Sequence, residues 1–155
     1  MTTESLRITR RGIIGAALLA TIAPRRLSAT EAEMRAAIRE RIGEAKPQLG
    51  RVRLDLPPLA ESGNSVPVGV SVESRMDAQD HVRRIMIFSE RNPRPHIITV
   101  WPGPDSGRAE FTTRMRLSGT QSVLAIAELS DGSFWLDQVN IMVTIGACDS
   151  LMFRY

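Results

Sequence analysis

An all-β sandwich is the fold this sequence predicts, and three observations predict it. Apolar residues recur with a period of two through most of the chain after residue 50. The alternating runs are short and are parted by turn residues, among them Pro57-Pro58, Gly63-Asn64, Asn92-Pro93-Arg94-Pro95 and Asp131-Gly132. About seven such runs follow one another at close spacing, the count and rhythm of an immunoglobulin-like antiparallel sandwich. The cysteine pair that pins many such domains is absent, because the chain holds a single cysteine.

Residues 1–29 have the layout of an export signal. Arg10-Arg11 precede an uncharged run over residues 12–23, and the small pair Ser28-Ala29 offers a cleavage site after Ala29, with Arg25 and Arg26 just before it. The run is shorter than the roughly 20 apolar residues of a spanning helix, so no stable membrane anchor is expected. The adjacent arginines resemble a twin-arginine signal. No aromatic follows the pair, so the general secretory route stays open. A short buried helix is the alternative. Export would place the protein in the periplasm or outside the cell, an oxidising compartment. The leader also accounts for the basic charge. The chain carries 20 basic and 17 acidic residues, and residues 1–29 hold five arginines and one glutamate, which leaves 15 and 16. A body of net charge −1 has no bias towards phosphate, so no nucleic-acid partner is expected.

The 155 residues make one domain with terminal appendages. Residues 30–46 form a short amphipathic helix. Thr30 and Glu33 match a capping box, Met34, Ile38 and Ile42 recur every four residues, and Pro47 stops the helix. Its apolar stripe must pack on the domain or on a partner. Residues 47–145 form the sandwich. Val52, Leu54 and Leu56 alternate with charged residues. Val66, Val68, Val70 and Val72 alternate next, and Pro67 puts that strand at an edge or near its own start. Residues 81–89 are apolar on both faces at their centre, which predicts a central strand. Strands over 97–101, 109–117, 121–129 and 134–145 complete the set. Trp101 and Trp135 are read as core or rim packing. Arg83-Arg84 is read as a solvated strand end.

Most catalytic constellations are missing. His81, His96 and the one cysteine have no zinc-ligand spacing, no glycine-rich loop joins a strand to a helix, and no nucleophile elbow appears. No metal and no cofactor are expected. Cys148 stands apart. A lone cysteine is usually a small buried hydrophobe, yet an odd thiol in an exported protein can be reactive or can pair between molecules. Continued alternation points Val139, Ile141, Val143 and Ile145 inward, Gly146 outward, Ala147 inward and Cys148 outward. Residues 146–155 then form an arm hinged at Gly146 and Ala147, and glycine loosens the strand there. Pattern alone leaves reactive and inert thiols equally open.

Several segments give the chain a resemblance to a known family. They are Leu59-Ala60-Glu61-Ser62-Gly63-Asn64-Ser65-Val66-Pro67-Val68, Ile87-Phe88-Ser89-Glu90-Arg91-Asn92-Pro93, Arg114-Met115-Arg116-Leu117, Ala125-Ile126-Ala127-Glu128-Leu129-Ser130-Asp131-Gly132-Ser133-Phe134-Trp135 and Val143-Thr144-Ile145-Gly146-Ala147-Cys148. In that order, over roughly residues 54–148, they resemble the SoxY subunit of the sulfur-oxidising (Sox) system. The resemblance implies a periplasmic carrier that is not itself an enzyme and that forms a heterodimer with a SoxZ-like subunit. In the family a Gly-Gly-Cys-Gly-Gly arm carries inorganic sulfur species on its thiol. A haem-containing enzyme attaches thiosulfate, and hydrolytic and oxidising enzymes process it. Cys148 takes the place of the carrier cysteine and Gly146 that of the first arm glycine.

Three departures stand out. Ala147 replaces a glycine and stiffens the hinge. Asp149 replaces another, and its charge disfavours both the thiolate and anionic adducts. Residues 150–155 add bulk where the family's chain stops. Two readings compete with the carrier. One is an interaction or structural module whose Cys148 is idle or in an intermolecular disulfide. The other is an enzyme using Cys148 with His81 or His96 as base.

Overall fold

The structure, a computed structural model, describes residues 30–146. The export signal with Arg10 and Arg11, and Ala147, Cys148 and the residues after them, lie outside the described residues. Helix α1 (Glu31–Ile42) comes first. Then follow β1 (Gln48–Leu49), β2 (Val52–Asp55), β3 (Leu59–Ser62), β4 (Val66–Val72), β5 (Val82–Ser89), β6 (His96–Val100), β7 (Ala109–Met115), β8 (Gln121–Leu129) and β9 (Phe134–Ile145). One sheet runs β1-β9-β8-β5-β6, with β3 also on β9, and the other runs β2-β4-β7. The seven predicted strands are present. β1 and β3 are additions, and both pair with β9 in parallel, whereas the other pairs are antiparallel.

The alternation builds the core directly. Val66, Val68, Val70 and Val72 of β4 face Ile85, Ile87, Val123, Ala125, Ala127 and Ile141 across the sandwich, all buried. The centre of β5 is buried on both faces because a second cluster lies outside it. Met86, Phe88, Leu124 and Ile126 pack beneath Met34 and Ile42 of α1. The helix stripe therefore packs on the domain itself. Its start is fixed as the sequence predicts. Thr30 Oγ1 accepts from the Glu33 amide at 3.3 Å, and the Glu33 carboxylate accepts from the Thr30 amide at 2.7 Å. Among the described residues, no helix is long and apolar enough to cross a membrane.

Some expectations are narrowed or corrected. β4 is the middle strand of its sheet and not an edge, so of the two places expected for Pro67 the structure shows the second, the start of its own strand. Pro67 is tolerated because β2 pairs only with Gly69 to Val72, so Pro67 precedes the stretch flanked on both sides. Of Arg83-Arg84, Arg83 is a solvated strand end as expected, its side chain 54% exposed, but Arg84 is not. Arg84 Nε donates to Glu128 at 2.5 Å and its Nη2 donates to the Arg41 carbonyl at 3.0 Å, which ties the end of α1 to the sheet. Trp101 is neither core nor rim, being 71% exposed. Trp135 does pack on the core, and its ring lies 3.2 Å from where a Cβ at Gly50 would sit. With φ at +135° as well, Gly50 suits no other residue.

Candidate functional site: the exit of the last strand

β9 delivers the chain to Cys148, so the site is built where β9 leaves the sandwich. β8 pairs with β9 only as far as Ile141, opposite Gln121, and β9 overruns it by four residues. A side chain takes over the ladder. Thr120 Oγ1 accepts the Val143 amide at 2.9 Å and donates to the Val143 carbonyl at 3.3 Å. On the other edge the Met142 amide donates to the Pro58 carbonyl at 3.0 Å, and Gly63 donates to the Ile145 carbonyl at 2.8 Å. The strand is thus held on both sides almost to its last residue.

The regular alternation breaks at that last residue. Met142 bonds towards β3 and Val143 towards β8, so an unbroken strand would turn Ile145 towards β8. Its carbonyl bonds Gly63 on the β3 side instead. The predicted inward Ile145 is 53% exposed, and the predicted outward Gly146 is buried.

A polar network holds the surrounding loops. Asn92 Oδ1 accepts from the Ser118 amide (3.0 Å), the Ser118 hydroxyl (3.1 Å) and Gln121 Nε2 (3.2 Å), while Asn92 Nδ2 donates to the Arg116 carbonyl at 2.8 Å. Gln121 Oε1 accepts the Arg91 amide at 2.9 Å, and Arg91 Nη1 reaches the Thr120 carbonyl at 3.1 Å. Arg114 donates to Ser65 through Oγ (2.6 Å) and the carbonyl (3.0 Å), and Leu117 donates to the Gly63 carbonyl at 2.8 Å. Four of the five segments that carry the family resemblance contribute residues to this one end. Thr120 lies in none of them, and nothing in the sequence singled it out. Asn92 was read as part of a turn and of a resemblance segment, with no role of its own.

The two histidines are placed differently. His81 precedes β5, whose Val82 pairs with Leu129 beside the turn into β9. It therefore sits at the start of β9, while the arm leaves from the other end, about 35 Å away along a twelve-residue strand. That separation removes His81 as a base for Cys148. His96 holds Thr99 Oγ1 at 2.8 Å, and its ring lies 5.5 Å from that of Phe88. Among the described residues, no three His, Cys, Asp or Glu side chains gather as a metal site.

Burial pushes the His96 imidazole below its ordinary 6.5, and the Arg41 guanidinium acts in the same direction. The unfolded chain therefore binds the proton first as pH falls. Stability is full above about 6.5 and drops as pH falls from there towards the folded value. The melting temperature is expected to decline from neutral to mildly acidic pH, with a shallower decline in His96→Gln. Identical slopes would refute the assignment.

The geometry defines a class: a two-sheet β-sandwich whose last strand is anchored to its end and carries the chain's single cysteine just beyond. The family model described as sulfur oxidation protein SoxY matches residues 38–148, and the chain belongs to the SoxY family. Among solved structures it is similar to the sulfur carrier protein SoxY from Chlorobium limicola f thiosulfatophilum. That match has 23% identity and a TM-score of 0.62, and covers 75% of this chain and all of that one. It is also similar to a superoxide reductase (neelaredoxin) from Ignicoccus hospitalis, with 19% identity and a TM-score of 0.55, covering 61% of this chain and 80% of that one. Both likenesses concern the fold. Comparison with curated proteins finds no match.

Proposed function

We propose that this chain is a periplasmic sulfur carrier that holds inorganic sulfur intermediates covalently on Cys148. The observation that carries the reading is the exit of β9. Thr120, Pro58 and Gly63 grip the strand up to Ile145, and the thiol follows three residues later. A rigid body with a reactive group a few residues past its last strand suits delivery into a partner's pocket. The family match supports it, because its last residue is Cys148. The leader with Arg10 and Arg11 supports the periplasmic placement.

The chemistry needs partners. A haem-containing enzyme would join the Cys148 thiolate to the outer sulfur of thiosulfate, forming one S–S bond and accepting the two electrons released. A hydrolytic enzyme would then add water across the S–SO₃ bond, releasing sulfate and leaving a persulfide on Cys148. The carrier itself supplies position and a thiol, and a SoxZ-like subunit completes a heterodimer. Gly146 and Ala147 form the base of the arm. The test is intact mass of the protein from thiosulfate-fed cells. Sulfur adducts that disappear on reduction are expected, on the peptide containing Cys148. An unmodified thiol, or only a disulfide between chains, would overturn the proposal.

A further inference from the structure

The loops around the exit of β9 present a cluster of arginines. Met115 and Leu117 are buried, so Arg114 and Arg116 both face outward, about 7 Å apart along the chain. The Asn92 side chain donates to the Arg116 carbonyl at 2.8 Å, which brings Arg91 alongside. Arg114 is held by Ser65, through Oγ at 2.6 Å and the carbonyl at 3.0 Å. Among the described residues, neither Arg114 nor Arg116 forms an ion pair. Ile145 lies beside them. The Leu117 amide donates to the Gly63 carbonyl and the Gly63 amide to the Ile145 carbonyl, each at 2.8 Å, and Ile145 is 53% exposed. The acids near this end belong to other surroundings. Glu31 and Glu33 start α1, on the opposite face of the sandwich, and bond Arg35 and Thr30. Glu90 accepts from the Ser122 amide at 3.3 Å, and Glu61 follows the core-facing Ala60 and so points to the side that bears α1.

We infer that this end of the sandwich is a docking face for a protein partner whose own surface presents clustered carboxylates. Charge complementarity chooses the partner. A guanidinium is a planar fork that takes a carboxylate through two parallel hydrogen bonds. Ser65 occupies Nε and Nη2 of Arg114 and fixes the side chain before any partner arrives, so little rotamer freedom is lost on docking. Ile145 selects a protein over a phosphate chain. An apolar side chain beside arginines is the make-up of a protein interface, and a body of net charge −1 has no general pull on polyanions. The two ends of the sandwich also differ in sign. The loops at the exit end, residues 63–65, 90–95 and 116–120, hold three arginines and one acid. Those at the other end, residues 50–51, 73–81, 101–108 and 130–133, hold three arginines and five acids. The molecule therefore meets an acidic surface with its exit end first. Docking by charge does not depend on the carrier reading; for a carrier it brings the exit of β9 to the partner's face.

The test is an NMR titration of the isotope-labelled full chain with hexaglutamate at low salt, read residue by residue. Among residues 30–146, shifts centred on the Arg114 and Arg116 side-chain N–H signals and on the amides of residues 63–65, 91–92 and 116–120 are expected. Affinity should fall about tenfold in Arg114→Gln/Arg116→Gln, roughly threefold for each exposed charge removed. Arg116→Gln alone should lose about threefold. Its side chain makes no hydrogen bond among the described residues, so this variant leaves the Ser65 contacts of Arg114 in place, and an unchanged melting temperature confirms that it folds. No shift with hexaglutamate would overturn the inference, as would shifts centred elsewhere or affinity that survives both substitutions. Tighter binding of hexametaphosphate would assign the face to a phosphate polyanion and overturn it. Equal shifts with sulfate at the same concentration would mean that any simple anion suffices, with the same result. Shifts that grow with protein concentration in the absence of peptide would assign the face to the acidic end of a second copy and overturn it. The titration needs no sulfur donor, so its outcome is separate from that of adduct formation.

Discussion

Phe88→Ala is expected to destabilise the domain by about 3–5 kcal/mol, the usual cost of emptying a fully buried phenylalanine site. Phe88 has no exposed surface and lies in the outer cluster with Met86, Leu124 and Ile126, beneath Met34 and Ile42. The side chain is one of those that α1 rests on, so the cavity cannot close without moving the helix. Its ring also lies against His96, and the variant removes that cover. Chemical denaturation should show the loss as a lower midpoint. Phe88→Leu, which keeps most of the volume, should cost less than about 1.5 kcal/mol. A loss below about 1 kcal/mol in Phe88→Ala would mean that the helix does not pack there in solution.

Cys148→Ser is expected to remove every sulfur adduct and to leave stability unchanged. A serine hydroxyl cannot form the S–S bond on which the carrier chemistry rests. Both core clusters are built from residues before the end of β9, and Cys148 lies three residues beyond Ile145 in the sequence. Intact mass of the variant from thiosulfate-fed cells reads the first effect, and thermal melting reads the second. A variant that still carries the adduct would place the attachment elsewhere. One that melts much lower would show the thiol to be a packing residue. The two effects separate a delivery group from a core side chain, a choice that pattern alone left even.

The main strands were legible because burial on one face imposes a period of two, and the valines of β4 show it cleanly. The double-sided burial of β5 was legible too, from its continuous apolar centre. β1 and β3 were not. They have two and four residues, both are largely exposed, and they exist because the edge of β9 takes them as partners. Such pairing depends on contacts far apart in sequence and leaves no local pattern. Arg84 was misread for a related reason, since its partners Glu128 and Arg41 are each more than 40 residues away. At the site, the position of Cys148 past the last strand followed from order along the chain. The change of phase at Ile145 did not, because one hydrogen bond from Gly63 decides it.

The position of β9 has a consequence for how the molecule comes into being. Among the described strands it comes last in chain order, yet it lies between β1 and β8 in the interior of its sheet. Until β9 is in place, β1, β3 and one edge of β8 lack their neighbour, so the sheet cannot close without it. Pairings such as Gln48 with Trp135 span most of the domain and give a high contact order, which slows folding. The strand that leads towards Cys148 is also the piece that completes this sheet, so a molecule lacking it has no formed exit at that end.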